Sequence, residues 1–264
     1  MKTEHLHGVK ETLLFTLYFR ALDYASKDPI VGDKWAADIL RRISYRRWKV
    51  VMASGDRYLG LMRARKMDDW TTAFLAAHPR ATVVHLGCGL DSRAFRLDVP
   101  PGVHWYDVDY PEVIELRERL YPERDGYTTV PTSVTAPGWL EQIPADDCRP
   151  VLVIAEGLLM YLREADVYPL LRRVTGRFSH GELIFDSISP WLAATARPLG
   201  YRLWGLKHPA VVQQRDVRLT LLEHMPTIWD VSRIPEPLFR ALYRVPAFRD
   251  TLHLQRFRIG ADHA

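Results

Sequence analysis

Cysteine is scarce in this chain, with only Cys88 and Cys148 among 264 residues. Two thiols make no disulfide framework, and the N-terminus lacks a leader with a small-residue cleavage pattern, so a reducing, cytoplasmic setting is expected. Long apolar runs are missing too. The N-terminal segment Leu13 to Phe19 is interrupted by Thr16 and closed by Arg20, too short to cross a bilayer, and no membrane partner is expected. Charge of one sign is not concentrated anywhere: 36 basic and 32 acidic side chains are interspersed and leave a net +4. That pattern argues against nucleic acid as a partner. The densest basic cluster, Arg41-Arg42 with Arg46-Arg47, reads as a solvated helix face, with a site for an acidic acceptor as the alternative. There is no internal repeat, low-complexity tract or metal-ligand spacing of His, Cys, Asp and Glu. A nucleophile elbow and a phosphate loop ending in Lys-Ser or Lys-Thr are also absent.

What is present is an ordinary globular composition, 47% hydrophobic and 26% charged, in a chain long enough for one large domain with an insertion. From about Val9 to His78 apolar residues recur at helical spacing, through Leu13, Leu17 and Ala21 and again through Leu59, Met62, Trp70 and Phe74. Asp28-Pro29 breaks this preface, and Asp33 is placed to cap a helix running from Trp35 to Ile43. Its aromatics, among them Phe15, Tyr18, Phe19, Tyr24, Tyr45 and Trp48, read as core. From Ala81 strands alternate with helices. The spacing predicts strands at 82–86, 103–107, 127–131, 151–155 and 182–185, with helices starting near Ser92, Pro111 and Glu164. Such alternation implies an α/β fold, a doubly wound parallel sheet with its ligand at the carboxyl ends of the strands. Residues 187–214, with Pro190, Pro198 and Pro209, lack periodicity and read as an insertion or lid. Strands at 218–225 and 251–259 follow, separated by a helix at 236–243. The expected partition is a single domain: a helical cap (1–80), a cofactor-binding core (81–186), a lid or acceptor insertion (187–225) and the C-terminal part of the sheet (226–264).

The chemistry concentrates in Val83-Val84-His85-Leu86-Gly87-Cys88-Gly89-Leu90-Asp91-Ser92-Arg93. An apolar strand ends in two glycines spaced by one residue, which lets backbone approach a nucleotide-like ligand. About twenty residues on, Val103-His104-Trp105-Tyr106-Asp107-Val108-Asp109 ends in acids suited to a ribose diol. Asp107 and Asp109 both qualify, since a two-residue slip keeps the same strand face. Glu156 follows the apolar run Val151 to Ala155, again where sites of this architecture lie. Together these features predict an adenosine-containing cofactor.

Taken in order, the motifs resemble those of the leucine carboxyl methyltransferase family, in its polyketide O-methyltransferase branch. They are Glu11-Thr12-Leu13-Leu14, Leu17-Tyr18-Phe19-Arg20-Ala21, Leu61-Met62-Arg63-Ala64-Arg65, His85 to Arg93, Tyr106 to Val113, and Ala155-Glu156-Gly157-Leu158-Leu159-Met160-Tyr161-Leu162. Trp204-Gly205 is similar to the family's variable insertion. The resemblance implies a Rossmann-like fold and S-adenosyl-L-methionine as cofactor. It implies that Gly87, Cys88 and Gly89 approach the methionine part, that Arg63 holds its carboxylate, and that Asp109, with Asp107 as rival, receives the ribose. Glu156 would stand beside the cofactor, with Tyr110 and Gly157 as neighbours. Where relatives place an acid for the adenine amino group, this chain has Ser133-Val134; a serine hydroxyl accepts the same bond without charge assistance, or the backbone does the reading.

The function so implied is O-methylation of a carboxyl or phenolic oxygen on a small, polyketide-like specialised metabolite. A protein C-terminus is an alternative acceptor, since some family members methylate one. A nicotinamide-dependent oxidoreductase would use a similar sheet, but the loop lacks a third glycine. A non-catalytic cofactor-binding module is the remaining class. No catalytic base is assigned. His85 is expected to be a buried structural histidine, while His208 and His224 are candidates because imidazole titrates near neutrality.

Overall fold

The computed structural model describes residues 12–43, 56–199 and 202–260. Glu11, Tyr45, Arg46, Arg47 and Trp48, singled out in the sequence, lie outside the described residues.

The apolar runs form β1 (Thr82–Leu86), β2 (His104–Asp109), β3 (Tyr127–Pro131), β4 (Val151–Ala155) and β5 (Gly181–Ile188), all parallel. Two late strands complete the sheet: β7 (Leu252–Ile259) adds antiparallel to β5, and β6 (Leu219–Pro226) pairs antiparallel with β7, so that β7 alone opposes the others in the seven-stranded order β3-β2-β1-β4-β5-β7-β6. Every residue of β4 is buried, as expected of a central parallel strand covered on both faces. On one face Val167, Leu170, Leu171 and Val174 pack with Val153, Leu183 and Phe185, and on the other Met67, Trp70 and Phe74 pack with Val83, Leu152 and Ile154. Fully burying each such side chain contributes roughly 1.5–3 kcal/mol.

The strand order reverses between β1 and β4. The crevice at their carboxyl ends is therefore the ligand position this topology dictates. Gly87–Gly89 and Glu156–Gly157 stand at those two ends.

The N-terminal helices α1 (Thr12–Tyr24), α2 (Lys34–Arg42) and α3 (Tyr58–Ala77) sit over this edge. The Asp33 carboxylate accepts from the Ala36 N–H at 3.0 Å, the cap its position predicted. Leu14, Leu17 and Ile39 pack against Leu90, Val113 and Leu116, so α1 and α2 rest on the glycine loop and on the helix α5 (Pro111–Leu120) behind it. Exposed Arg42 donates to the Leu120 and Arg119 carbonyls at 2.7 and 3.0 Å, which makes it a tether to the end of α5.

Several boundaries differ from the sequence reading. The helix expected at Ser92 is the single turn α4 (Arg93–Arg96). β2 runs to Asp109, because β3 continues the ladder to the Asp109–Pro131 pair. β5 runs to Ile188 because β7 pairs with it along its whole length. The insertion consequently starts later than residue 187 and ends before β6, which belongs to the sheet. It holds short helices α7 (Pro190–Ala196) and α8 (Ala210–Arg215). Between β6 and β7 lies α9 (Pro237–Leu242), opened by its proline where 236–243 was expected. The helix α6 (Glu164–Arg177) connects β4 to β5.

Candidate active site

A cavity of about 440 Å³ opens at the switch between β1 and β4, within the size range of small-molecule sites. Arg63, Gly87, Cys88, Gly89, Asp109, Tyr110, Glu156 and Gly157 all line it. Ser133 and Val134 do not. The Ser133 hydroxyl is engaged with Thr135, and Val134 is buried beside Trp139, whose indole N–H donates to the Val134 carbonyl. The loop after β3 turns into the core at this point, which removes the Ser133 side chain from the cavity wall.

The glycine loop is shaped by contacts from both neighbours. Gly87 has φ +61° and donates its N–H to the Val108 carbonyl at 2.8 Å. The positive φ calls for glycine, and a Cβ there would stand 2.9 Å from Leu158 Cδ1 and displace the tip of that side chain. Gly89 donates its N–H to Asp109 Oδ2 at 2.8 Å, and Tyr110 donates to Asp109 Oδ1 at 2.7 Å. Burial pushes the Asp109 carboxyl above its ordinary value, against the pull of these two donors. Asp107 occupies a different environment. It is fully buried, takes bonds from the Tyr127 hydroxyl (2.6 Å) and Trp105 Nε1 (2.8 Å), and is ion-paired with Arg117. Burial acts to raise its pKa, yet Arg117 and its other donors prevail and hold it below the usual range. Of the two acids, only Asp109 lines the cavity.

The opposite wall is an ion network. Arg63 donates from Nε to Glu156 Oε1 at 3.0 Å and from Nη1 to Asp186 Oδ2 at 2.9 Å. Glu156 also accepts from Arg93 Nη2 at 2.7 Å. Arg93 reaches back to Asp68 on α3 at 2.7 Å, and its Nη1 forms a looser ion pair with Asp91 at 3.1 Å. Burial alone would raise Glu156, but Arg93 and Arg63 together hold it ionised below its ordinary value. Asp91 is lowered in the same way by Arg93, Arg96 and Arg20. Burial raises the Cys88 thiol well above its usual value, so this sulfur presents itself as a small, neutral wall group.

The cavity brings in residues that sequence reasoning had not assigned. Leu13, Thr16 and Arg20 of α1 form one wall; Arg20 is fixed by Asp33 and by the Leu90 carbonyl, both at 2.9 Å. Tyr161 and Leu162 form another. Asp186 carries the same signal as Glu156, an apolar run closing on an acid, but lies one residue beyond the strand predicted at 182–185. His85 is buried and lines the floor, with Nδ1 3.5 Å from Asp107, longer than a hydrogen bond. His208 and His224 lie elsewhere, their rings 6.0 Å apart, and the His224 ring is tilted against that of His253 at 4.8 Å. Burial, with His253 and His208 nearby, lowers His224. Neither lines the cavity.

A family model for leucine carboxyl methyltransferase matches residues 14–175. The chain belongs to the leucine carboxyl methyltransferase family. It is 43% identical to the tetracenomycin polyketide synthesis O-methyltransferase TcmP of Streptomyces glaucescens, over 97% of this chain and 98% of that one. It is 34% identical to the S-adenosyl-L-methionine-dependent methyltransferase dpfgK of Gibberella zeae, covering 87% and 86% of the two chains. Among solved structures, the magnesium protoporphyrin IX methyltransferase ChlM of Synechocystis, with bound S-adenosylhomocysteine, aligns with a TM-score of 0.52 and 14% identity over 86% of this chain and 95% of that one, a likeness of fold. As a member of this family the protein is an S-adenosylmethionine-dependent methyltransferase with the Rossmann-like sheet of that class. Among the described residues no helix is long and apolar enough to cross a membrane.

Proposed function

We propose that this leucine carboxyl methyltransferase family member transfers a methyl group to a carboxyl or phenolic oxygen of a small, polyketide-like molecule. The cavity at the β1–β4 switch is its cofactor site in this reading. The observation that carries the acceptor class is the similarity to TcmP along essentially the full length of both chains. The chemistry of the cavity suits the cofactor. A glycine at 87 held at positive φ, a carboxylate at 109 backed by two N–H donors and a guanidinium at 63 match a loop approach, a ribose diol and an amino-acid carboxylate.

When bound, S-adenosylmethionine supplies a methyl group already activated on a sulfonium. The protein's own task is therefore to align and to exclude water. Gly87 and Gly89 would receive the methionine portion, Asp109 the ribose hydroxyls, and Arg63 the carboxylate. Leu13 and Thr16 on α1, with Leu158, Tyr161 and Leu162, supply the apolar walls that keep the site dry. The insertion acts one layer back: Ala193 packs with Met160 and with Ile188 of β5, and the Trp204 backbone N–H donates to the Met160 carbonyl at 2.8 Å.

Glu156 and Asp91 are committed to arginine pairs, which makes them weak bases. An acceptor that arrives ionised, such as a carboxylic acid, needs none. The test is methyl transfer from labelled S-adenosylmethionine to a panel of aromatic polyketides carrying a free carboxyl, a free phenol or both. Transfer to oxygen, with base-labile esters marking carboxyl acceptors, is expected. Labelling confined to nitrogen or carbon, or to protein C-termini, would overturn the reading.

A further inference from the structure

Arg63 stands at the end of the cavity nearest β5, and its guanidinium is not held by Glu156 alone. Asp186, in β5, is fully buried and makes two contacts at once. Its Oδ2 accepts from Arg63 Nη1 at 2.9 Å, and its Oδ1 accepts from the Gly157 N–H at 2.5 Å. Gly157 adopts φ +61°, and a Cβ on it would stand 3.2 Å from Arg63 Nη2 and 3.3 Å from Nη1. The guanidinium therefore packs directly on the bare Gly157 backbone, and one carboxylate fixes both members of that contact.

The donors show what this arrangement leaves over. A guanidinium carries five N–H groups. Nε is committed to Glu156 and one hydrogen of Nη1 to Asp186, while Nη2 has no hydrogen-bond partner among the described residues. Nη2 and the second hydrogen of Nη1 are left over, donors of the kind that grip a carboxylate. Burying Asp186 beside Arg63 carries a desolvation cost that a well-packed apolar pair would avoid. A pair that orients a binding group accounts for carrying that cost.

We infer that Asp186 is a positioning residue for cofactor binding: it sets the Arg63 guanidinium and the Gly157 N–H so that the free donors of Arg63 are presented to the cavity. The inference rests on the reading of Arg63 as the partner of the cofactor's amino-acid carboxylate. It extends that reading to a residue that does not itself line the cavity.

The experiment is calorimetric binding of S-adenosylhomocysteine and of 5′-methylthioadenosine, which has the nucleoside and sulfur but no amino-acid part. The proteins compared are the full chain, Asp186→Asn, Arg63→Met and the double variant. Asp186→Asn should weaken S-adenosylhomocysteine about tenfold or more while leaving methylthioadenosine nearly unchanged, the scale of a hydrogen bond to a charged group. The double variant should bind no more weakly than Arg63→Met, because the two act through one contact. Asp186→Glu keeps the charge but moves the carboxylate, and should lose the same selectivity; it serves if the asparagine variant does not fold. Equal losses for both ligands would reduce Asp186 to a structural role and overturn the inference. So would full affinity in Asp186→Asn beside a weakened Arg63→Met, although the reading of Arg63 would then survive. An unaffected Arg63→Met would instead sink that reading, and the inference with it.

Discussion

Replacing Asp109 by alanine separates the two jobs that its carboxylate does. In the folded chain it accepts N–H groups from Gly89 and Tyr110 at 2.8 and 2.7 Å, and it faces the cavity. Tyr110 is exposed, so water can replace the lost acceptor, and the stability cost should stay near about 1 kcal/mol. The binding cost should be larger. Two charge-assisted bonds to a ribose diol, partly replaced by water, amount to about 2–4 kcal/mol, or roughly 30- to 1,000-fold in Kd. Asp109→Asn retains one acceptor oxygen and should lose about tenfold. Titration of S-adenosylhomocysteine and its 2′,3′-dideoxy analogue into the three proteins closes the cycle, since the analogue should bind all three alike. A folded Asp109→Ala protein with unchanged affinity for S-adenosylhomocysteine would refute the assignment.

Asp107→Ala should behave in the opposite way. It strands the buried Arg117 charge, a loss of about 3–5 kcal/mol and a Tm drop on the order of 10 °C in a thermal melt, far exceeding that of Asp109→Ala. Gly87→Ala forces a left-handed backbone at roughly 1–2 kcal/mol and pushes Leu158 into the cavity, so calorimetry should show a weaker cofactor affinity beyond the modest stability loss. Burial raises the Asp56 carboxyl to about 6. Its folded form therefore holds a proton that the unfolded chain has released between about pH 4 and 6, so ionisation above pH 6 costs stability. Asp56→Asn should remove that penalty, on the order of 1–2 kcal/mol after allowance for solvent, and flatten the urea-melt midpoint between about pH 4 and 6. A variant that keeps the wild-type slope would show that another group titrates there.

The sheet was legible because its chemistry is local. Fully buried parallel strands need apolar runs, and Val151 to Ala155 displays one unbroken, while Thr82 to Leu86 is interrupted only by His85 after its opening threonine. The glycine loop was equally plain, since positive φ at Gly87 and Gly89 leaves few residue choices. What spacing could not decide was set by distant partners. Asp107 and Asp109 look alike along β2 until Arg117 and Tyr127, from α5 and β3, claim the first. The resemblance implies Ser133 at the adenine, yet its hydroxyl is engaged with Thr135 and Val134 is buried beside Trp139, and neither lines the cavity. β5 outlasts its apolar run because β7 pairs with it as far as Ile188, an antiparallel pairing that local composition does not report. The arginine–acid network around Glu156 joins α3, the loop after β1 and β5, and only the fold brings those charges together.

A crystal structure with S-adenosylhomocysteine tests the central claim most directly. The account predicts the ribose hydroxyls on Asp109, the thioether beside Gly87 and Gly89, and the amino-acid carboxylate on the free donors of Arg63. Density for the nucleoside in any other cavity, or a carboxylate with no contact to Arg63, would contradict it.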